Sequence, residues 1–207
     1  MHEDRFEPKG KHEYSNLAFH PYNVLLVLVL LSLSILFLTL TAAFTYSRVQ
    51  NGAPSIKLPW LFLTNTLILI GSSLTMMWAT RAYKADQTQR YQLALGITLG
   101  LSFFFLLAQV FAWRQLFSQS IFISTDISAS YLYLISGLHF AHVIAGIPFL
   151  GYFLFRAWKD MREPVSVLVY FSDPVRRLKL RLLTLYWHFL DVLWIYLILF
   201  FFINYLI

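Results

Sequence analysis

Five stretches of the chain run for twenty or more residues with almost no charged side chain: Tyr22–Tyr46, Trp60–Tyr83, Tyr91–Trp113, Tyr131–Phe155 and Leu182–Tyr205. A hydrocarbon core about 30 Å thick needs about 20 apolar residues in helical form, so each stretch predicts a transmembrane helix. Only Arg81, near one end of the second stretch, and Asp191, in the fifth, are charged within them. The runs are continuous rather than alternating, which excludes the strands of a membrane β-barrel. Trp or Tyr stands near almost every boundary (Tyr22, Tyr46, Trp60, Tyr83, Tyr91, Trp113, Tyr131, Trp158 and Tyr205), the interfacial belt of amphipathic rings. Leu58-Pro59-Trp60 opens the second run, where the missing N–H of proline has no helical partner to lose. Pro148, inside the fourth, is expected to kink it. The predicted fold is an all-α integral membrane bundle of five transmembrane helices. A tail covers residues 1–21, the transmembrane domain covers 22–206, and a long loop covers 156–181. That loop contains Pro164 and Pro174 and reads as irregular. No internal repeat of the kind found in inverted-repeat transporters is visible.

Composition agrees with the pattern. The 207 residues are 58% apolar and 13% charged, with mean hydropathy +0.63. A water-soluble domain holds about 45–50% apolar and ~25% charged residues, so a soluble globule and a disordered chain are both excluded. The first 21 residues carry seven charges and no apolar core, so no cleaved signal peptide is expected. The absence of cysteine removes disulfide scaffolds, thiolate metal sites, iron–sulfur clusters and cysteine nucleophiles.

The net charge of +6 becomes informative once it is placed loop by loop. The N-terminal tail holds three Lys or Arg (Arg5, Lys9, Lys11) and the following connections hold two, three, one and seven. The seven are Arg156, Lys159, Arg162, Arg176, Arg177, Lys179 and Arg181, and the C-terminus has none. Alternate sides therefore carry thirteen against three, which predicts the N-terminus inside and the C-terminus outside. The basic patch reads as a topology signal and a contact for anionic lipid, not for nucleic acid.

Polar groups inside membrane helices are costly and mark where function is sought first. They are few: Asn65, Gln109, His139, His142, His188 and Asp191. His139 and His142, and likewise His188 and Asp191, are three residues apart and share a helix face. Three imidazoles and a carboxylate on facing helices could hold a metal or haem, as paired Glu-x-x-His motifs do in di-metal bundles. The other reading is structural: the groups hydrogen-bond and lock the last two spans, at about 0.6–2 kcal/mol per contact. His142 lies eleven residues into its span and Asp191 nine into its own, about 16 and 14 Å from opposite faces at similar depth. Asp191 is therefore expected to bond to His139 or His142, or to a Trp or backbone donor. Gly137, Ala141 and Ala145, and also Gly96 and Gly100, form small-residue stripes that allow close helix contact.

Two segments resemble one known family. Tyr131–Gly146 reads YLYLISGLHFAHVIAG and Tyr186–Tyr196 reads YWHFLDVLWIY. They resemble subunit III of the haem–copper terminal oxidases at Gly137, His139, His142, Val143 and Gly146, and at Trp187, His188, Phe189, Asp191 and Trp194. Asn65-Thr66, Trp78-Ala79 and Gln109 stand where that family places such residues, and five spans resemble its short bacterial form. Two acidic residues of the family pattern are missing, one falling at Ser32-Leu33 and one at Ala112.

The resemblance implies a non-catalytic, multi-pass subunit of a proton-pumping oxidase in the bacterial inner membrane, with cytochrome c or quinol as the complex's donor. This chain would carry no cofactor of its own, the haems and copper residing in partner subunits. It would pack on subunit I beside the other oxidase subunits, bind structural phospholipid and support proton uptake, and the oxidase could join a larger respiratory assembly. A lipid-binding Arg of the family matches Arg156. His139, His142, Trp187, His188, Asp191, Trp194, Asn65 and Gln109 would be structural. Two other readings stand beside it: an independent membrane haem or metal protein using His139, His142, His188 and Asp191, and a small proton-coupled transporter using Asp191.

Overall fold

The computed structural model describes residues 21–52 and 60–206, which form six helices and, among the described residues, no strand. The helices are α1 (Pro21–Asn51), α2 (Trp60–Lys84), α3 (Thr88–Ser118), α4 (Ile127–Asp160), α5 (Pro164–Ser172) and α6 (Pro174–Leu206). All except α5 are long and apolar enough to cross a membrane, and each contains one of the predicted apolar runs. The N-terminal tail with Arg5, Lys9 and Lys11, and the Lys57–Pro59 approach to the second span, lie outside the described residues.

The helices are longer than the apolar runs because local hydrogen bonding, not hydropathy, sets their ends. α4 begins four residues before Tyr131, where the carboxylate of Asp126 accepts from Ala129 N at 2.7 Å, satisfying a first-turn amide. α6 begins eight residues before Leu182, where Asp173 accepts from Val175 N at 2.9 Å. The irregular loop expected over 156–181 is corrected in the same way: α4 continues to Asp160, α5 fills Pro164–Ser172 and α6 starts at Pro174. Pro164 and Pro174 open helices instead of breaking them, since proline fits the first helical turn. α4 continues through Pro148 without a break in its helical assignment.

The bundle alternates up and down. α5 lies at the end shared by the start of α1, the α2–α3 turn and the α4–α6 connection. There Tyr83 donates to the Tyr170 carbonyl (3.2 Å) and Arg181 donates to Asn23 (3.0 Å). At the far end Arg48 donates to the carbonyl of Asn204, in the last turn of α6. α2 packs on α3 and α6, α4 packs on α3 and α6, and α1 rests on α4 and α6. One core cluster centres on Phe37, Phe62, Phe105 and Trp194, and a second, nearer α5, on Tyr83, Tyr91, Leu150 and Trp187.

The small-residue stripes do not form these contacts. Ala141 and Ala145 are exposed, and a Cβ added to Gly96, Gly100 or Gly137 would meet nothing within 4 Å. The close approach is at Gly146, where a Cβ would lie 2.9 Å from Cζ3 of Trp187 and 3.1 Å from Cε1 of Tyr186. Gly146 lets α6 press its indole against the α4 backbone. Gly146→Ala is therefore expected to cost about 1–3 kcal/mol, the usual penalty for overfilling a packed site, while Gly100→Ala costs nothing. Thermal unfolding of both variants in detergent checks this; equal stability would remove Gly146 from its packing role.

Candidate functional site

The polar side chains of α6 are organised against α2. Going from the α5 end outward, Thr184 meets Thr80 (3.2 Å), the Trp187 indole donates to Ser72 (3.0 Å), His188 Nδ1 pairs with Ser73 (2.7 Å), and Trp194 donates to Thr66 (3.2 Å). The buried Asp191 carboxyl lies beside Ser73, and its Oδ2 has no hydrogen-bond partner among the described residues. On α2, Thr66, Ser73 and Thr80 recur every seven residues, as do Trp187 and Trp194 on α6. Seven residues are close to two helical turns, so one face of each helix stays opposed to the other. The result is a seam of indoles, an imidazole and a carboxyl lying on hydroxyls.

Beside the seam, Asn65 donates to Gln109 across α2 and α3 at 2.8 Å, with both residues fully buried. Thr75 pairs with Thr98 (2.8 Å) on the same two helices. Trp113 donates to Ser136, joining α3 to α4 (3.1 Å), and Tyr186 donates to the His142 carbonyl, joining α6 to α4 (3.0 Å). α1 is tied in through Thr41 and Tyr196, 2.8 Å apart.

The four residues considered as metal or haem ligands are not brought together. His139 is fully buried, its ring 4.9 Å from Trp194 and edge-on to Phe105 at 5.9 Å. His142 turns toward Phe37 of α1 and gives its Nδ1–H to the carbonyl of Leu138 (2.7 Å). His188 and Asp191 face α2. Among the described residues no three His, Asp or Glu side chains are placed to hold a metal ion. The expected bond from Asp191 to His139 or His142, or to a Trp or backbone donor, is also corrected. The ring nitrogens of His139 and the Oδ2 of Asp191 have no hydrogen-bond partner among the described residues, and the carboxyl lies beside the Ser73 hydroxyl. Depth from the sequence placed these groups at one level, but the rotation of each helix about its axis decided which ones meet.

The hydroxyls of Ser72, Ser73 and Thr80 went unnoticed because Ser and Thr are common in membrane helices and can bond their own preceding turn. The seven-residue spacing of Thr66, Ser73 and Thr80, matched by Trp187 and Trp194, was the signal that could have found them. Leu33 and Ala112 are both buried in the core.

The α5 end carries the charge. Arg176 bonds Asp160 (2.9 Å) and Asp173 (3.2 Å) and lies over the Tyr170 ring, 4.2 Å from its centroid. Burial under this layer pushes the Tyr170 phenol above its ordinary pKa. Arg156 is partly exposed beside the Tyr152 hydroxyl (3.2 Å) and Asp160 (3.6 Å).

Comparison with known proteins gives one consistent answer. The family model for cytochrome c oxidase subunit III matches residues 9–205. The chain is 30% identical over 196 residues to a cytochrome c oxidase subunit 3 of Synechocystis sp., covering 91% of this chain and 76% of that one. It is 29% identical over 168 residues to one from Bacillus sp. (strain PS3), covering 79% and 76%. Against a probable cytochrome c oxidase subunit 3 of Rickettsia felis, identity is 34% over 140 residues, 67% of this chain; the match spans 46% of the Rickettsia protein.

The seam makes a quantitative expectation. In a Ser72→Ala, Trp187→Phe double-mutant cycle, the coupling energy should be about 0.6–1.7 kcal/mol, the range of interhelical hydrogen bonds in membranes. Reversible unfolding in bicelles measures it, and strictly additive single effects would mean that the indole and the hydroxyl do not interact.

Proposed function

The chain belongs to the cytochrome c oxidase subunit III family, and on that premise we propose that it is the non-catalytic, multi-pass subunit III of a proton-pumping oxidase that reduces oxygen to water. It packs on the catalytic subunit I, which with its neighbours carries the haems and copper. It sustains proton uptake there and stabilises that subunit. The observation that best supports a structural role is the seam. The indoles of Trp187 and Trp194 and the ring of His188 are occupied in joining α6 to α2, and Asn65 with Gln109 joins α2 to α3. Side chains committed to helix contacts are not free to ligate a metal or carry a substrate.

We assign the α5 end to the cytoplasmic face of the bacterial inner membrane. Ten of the described Lys and Arg residues lie at that end, while Arg48 and Arg114 lie toward the far end; retention of cations inside gives this orientation. Arg156 then stands at the inner headgroup level. Its guanidinium fits a phospholipid phosphate, to which it can give paired hydrogen bonds.

Orientation is checked by single cysteines in intact cells. Ser118→Cys should react with an impermeant external thiol reagent and Ser166→Cys should not; equal labelling of both would reverse or discard the assignment. The function itself is tested at Asp191. Asp191→Asn keeps a hydrogen-bonding group toward Ser73 and should co-purify with the haem-bearing subunit and leave pumping largely intact. Asp191→Leu removes the polar group beside Ser73 and should lower the yield of assembled oxidase. Normal assembly of Asp191→Asn with pumping abolished would instead put this carboxyl in a proton path, and failure of the wild-type chain to co-purify with any haem protein would end the oxidase reading.

A further inference from the structure

One element outside the five spans exposes apolar surface as fully as they do. α5 has nine residues, about 14 Å at 1.5 Å each, less than half of a ~30 Å hydrocarbon core. It cannot cross the membrane, and its sequence PVSVLVYFS carries no charge. One side is anchored on the bundle: Tyr170 is buried, with its ring 6.3 Å from Tyr83 and 6.4 Å from Tyr91, and Phe171 stands edge-on to Tyr83 at 5.1 Å. The other side is bare. Val165, Leu168 and Val169, spaced as one helical face, are 75%, 70% and 65% exposed, as open as Leu25 (64%) and Leu67 (65%) on the membrane-spanning helices.

The surrounding charge selects what covers this face. The carboxylates of Asp160 and Asp173 are already engaged by Arg176, which leaves Glu163 as the one exposed acid of the segment. Lys159, Arg162 and Arg177 are exposed and form no ion pair among the described residues. Trp158, in the last turn of α4, is 55% exposed, and an indole there suits the headgroup layer. A bare apolar helix face flanked by unpaired cations at headgroup level has the chemistry of a helix lying on an anionic bilayer. We infer that α5 is an in-plane membrane anchor. Val165, Leu168 and Val169 sit in the acyl boundary of the adjoining leaflet, and Lys159, Arg162 and Arg177 lie on the phosphates of its anionic phospholipids.

The chain contains no cysteine, so the full-length protein accepts a single nitroxide label at a chosen position. Leu168→Cys and, as an aqueous reference on the same end, Ala85→Cys are reconstituted in phosphatidylcholine vesicles with and without phosphatidylglycerol. In vesicles containing phosphatidylglycerol, oxygen should collide with the label at 168 several-fold more often than a water-soluble nickel chelate does, the reverse of the label at 85. This shielding should weaken in neutral vesicles and in a Lys159→Gln, Arg162→Gln, Arg177→Gln background whose unfolding temperature is unchanged. Equal shielding in neutral vesicles would overturn the selection for anionic lipid. Free access of the nickel chelate to position 168 in lipid, with shielding only in an assembled oxidase, would overturn the anchor and make the face a protein contact. The vesicles contain no oxidase partner, so the result stands apart from the function proposed above.

Discussion

Within a lipid-surrounded bundle, a buried indole has no water to turn to, and its N–H finds its acceptor on another helix. The α2–α6 seam answers that constraint for this chain. Three large polar groups of α6 find a small hydroxyl on α2: Trp187 on Ser72, His188 on Ser73 and Trp194 on Thr66. Because the contacts recur over several turns, they fix both the register and the rotation of the two helices. α3 is then held to α2 through Asn65–Gln109 and Thr75–Thr98, and α4 closes on α6 through Gly146 and Tyr186.

The same geometry explains why the histidines form no cluster. The rotation that places Trp187 and Trp194 against α2 also turns His188 and Asp191 toward Ser73. His139, on α4, is left facing the ring of Trp194 rather than a carboxylate. Its neighbour His142 looks toward α1. Residues three apart share a broad helix face, but about 60° separates them around the axis, enough for two different helices to claim them. The motif that resembles a ligand set is divided among packing roles.

The two ends of the bundle differ in chemistry. At the far end Arg48 closes α6 by donating to the Asn204 carbonyl, a cation at the negative end of a helix. At the α5 end Arg176 gathers Asp160, Asp173 and the Tyr170 ring into one small assembly, which pins the connection between the last two spans. α1 touches only α4 and α6 to any extent, so most of its surface faces outward. Its role in the bundle rests on a few contacts such as Thr41–Tyr196 and Phe44 against Tyr131.

The sequence by itself determined the class, the number of spans and the distribution of charge between the two ends. Hydrophobic run length is a property of consecutive residues, and so is the placing of Lys and Arg in the connections. Trp187, His188, Asp191, Trp194, Asn65 and Gln109, which stand out in the sequence as polar or aromatic groups within the spans, lie at helix contacts. The ends of the helices were less legible. Pro164 and Pro174 look like breakers along the chain, and only their position in a first turn makes them starts. Partner choice belonged wholly to the tertiary structure. Ser73 pairs with His188 and the His139 ring nitrogens meet no hydrogen-bonding group among the described residues, and Gly146, not the Gly137–Ala145 stripe, admits a neighbouring helix. Both outcomes depend on how five rods rotate against one another, and that rotation is settled by the sum of many contacts from segments more than a hundred residues apart.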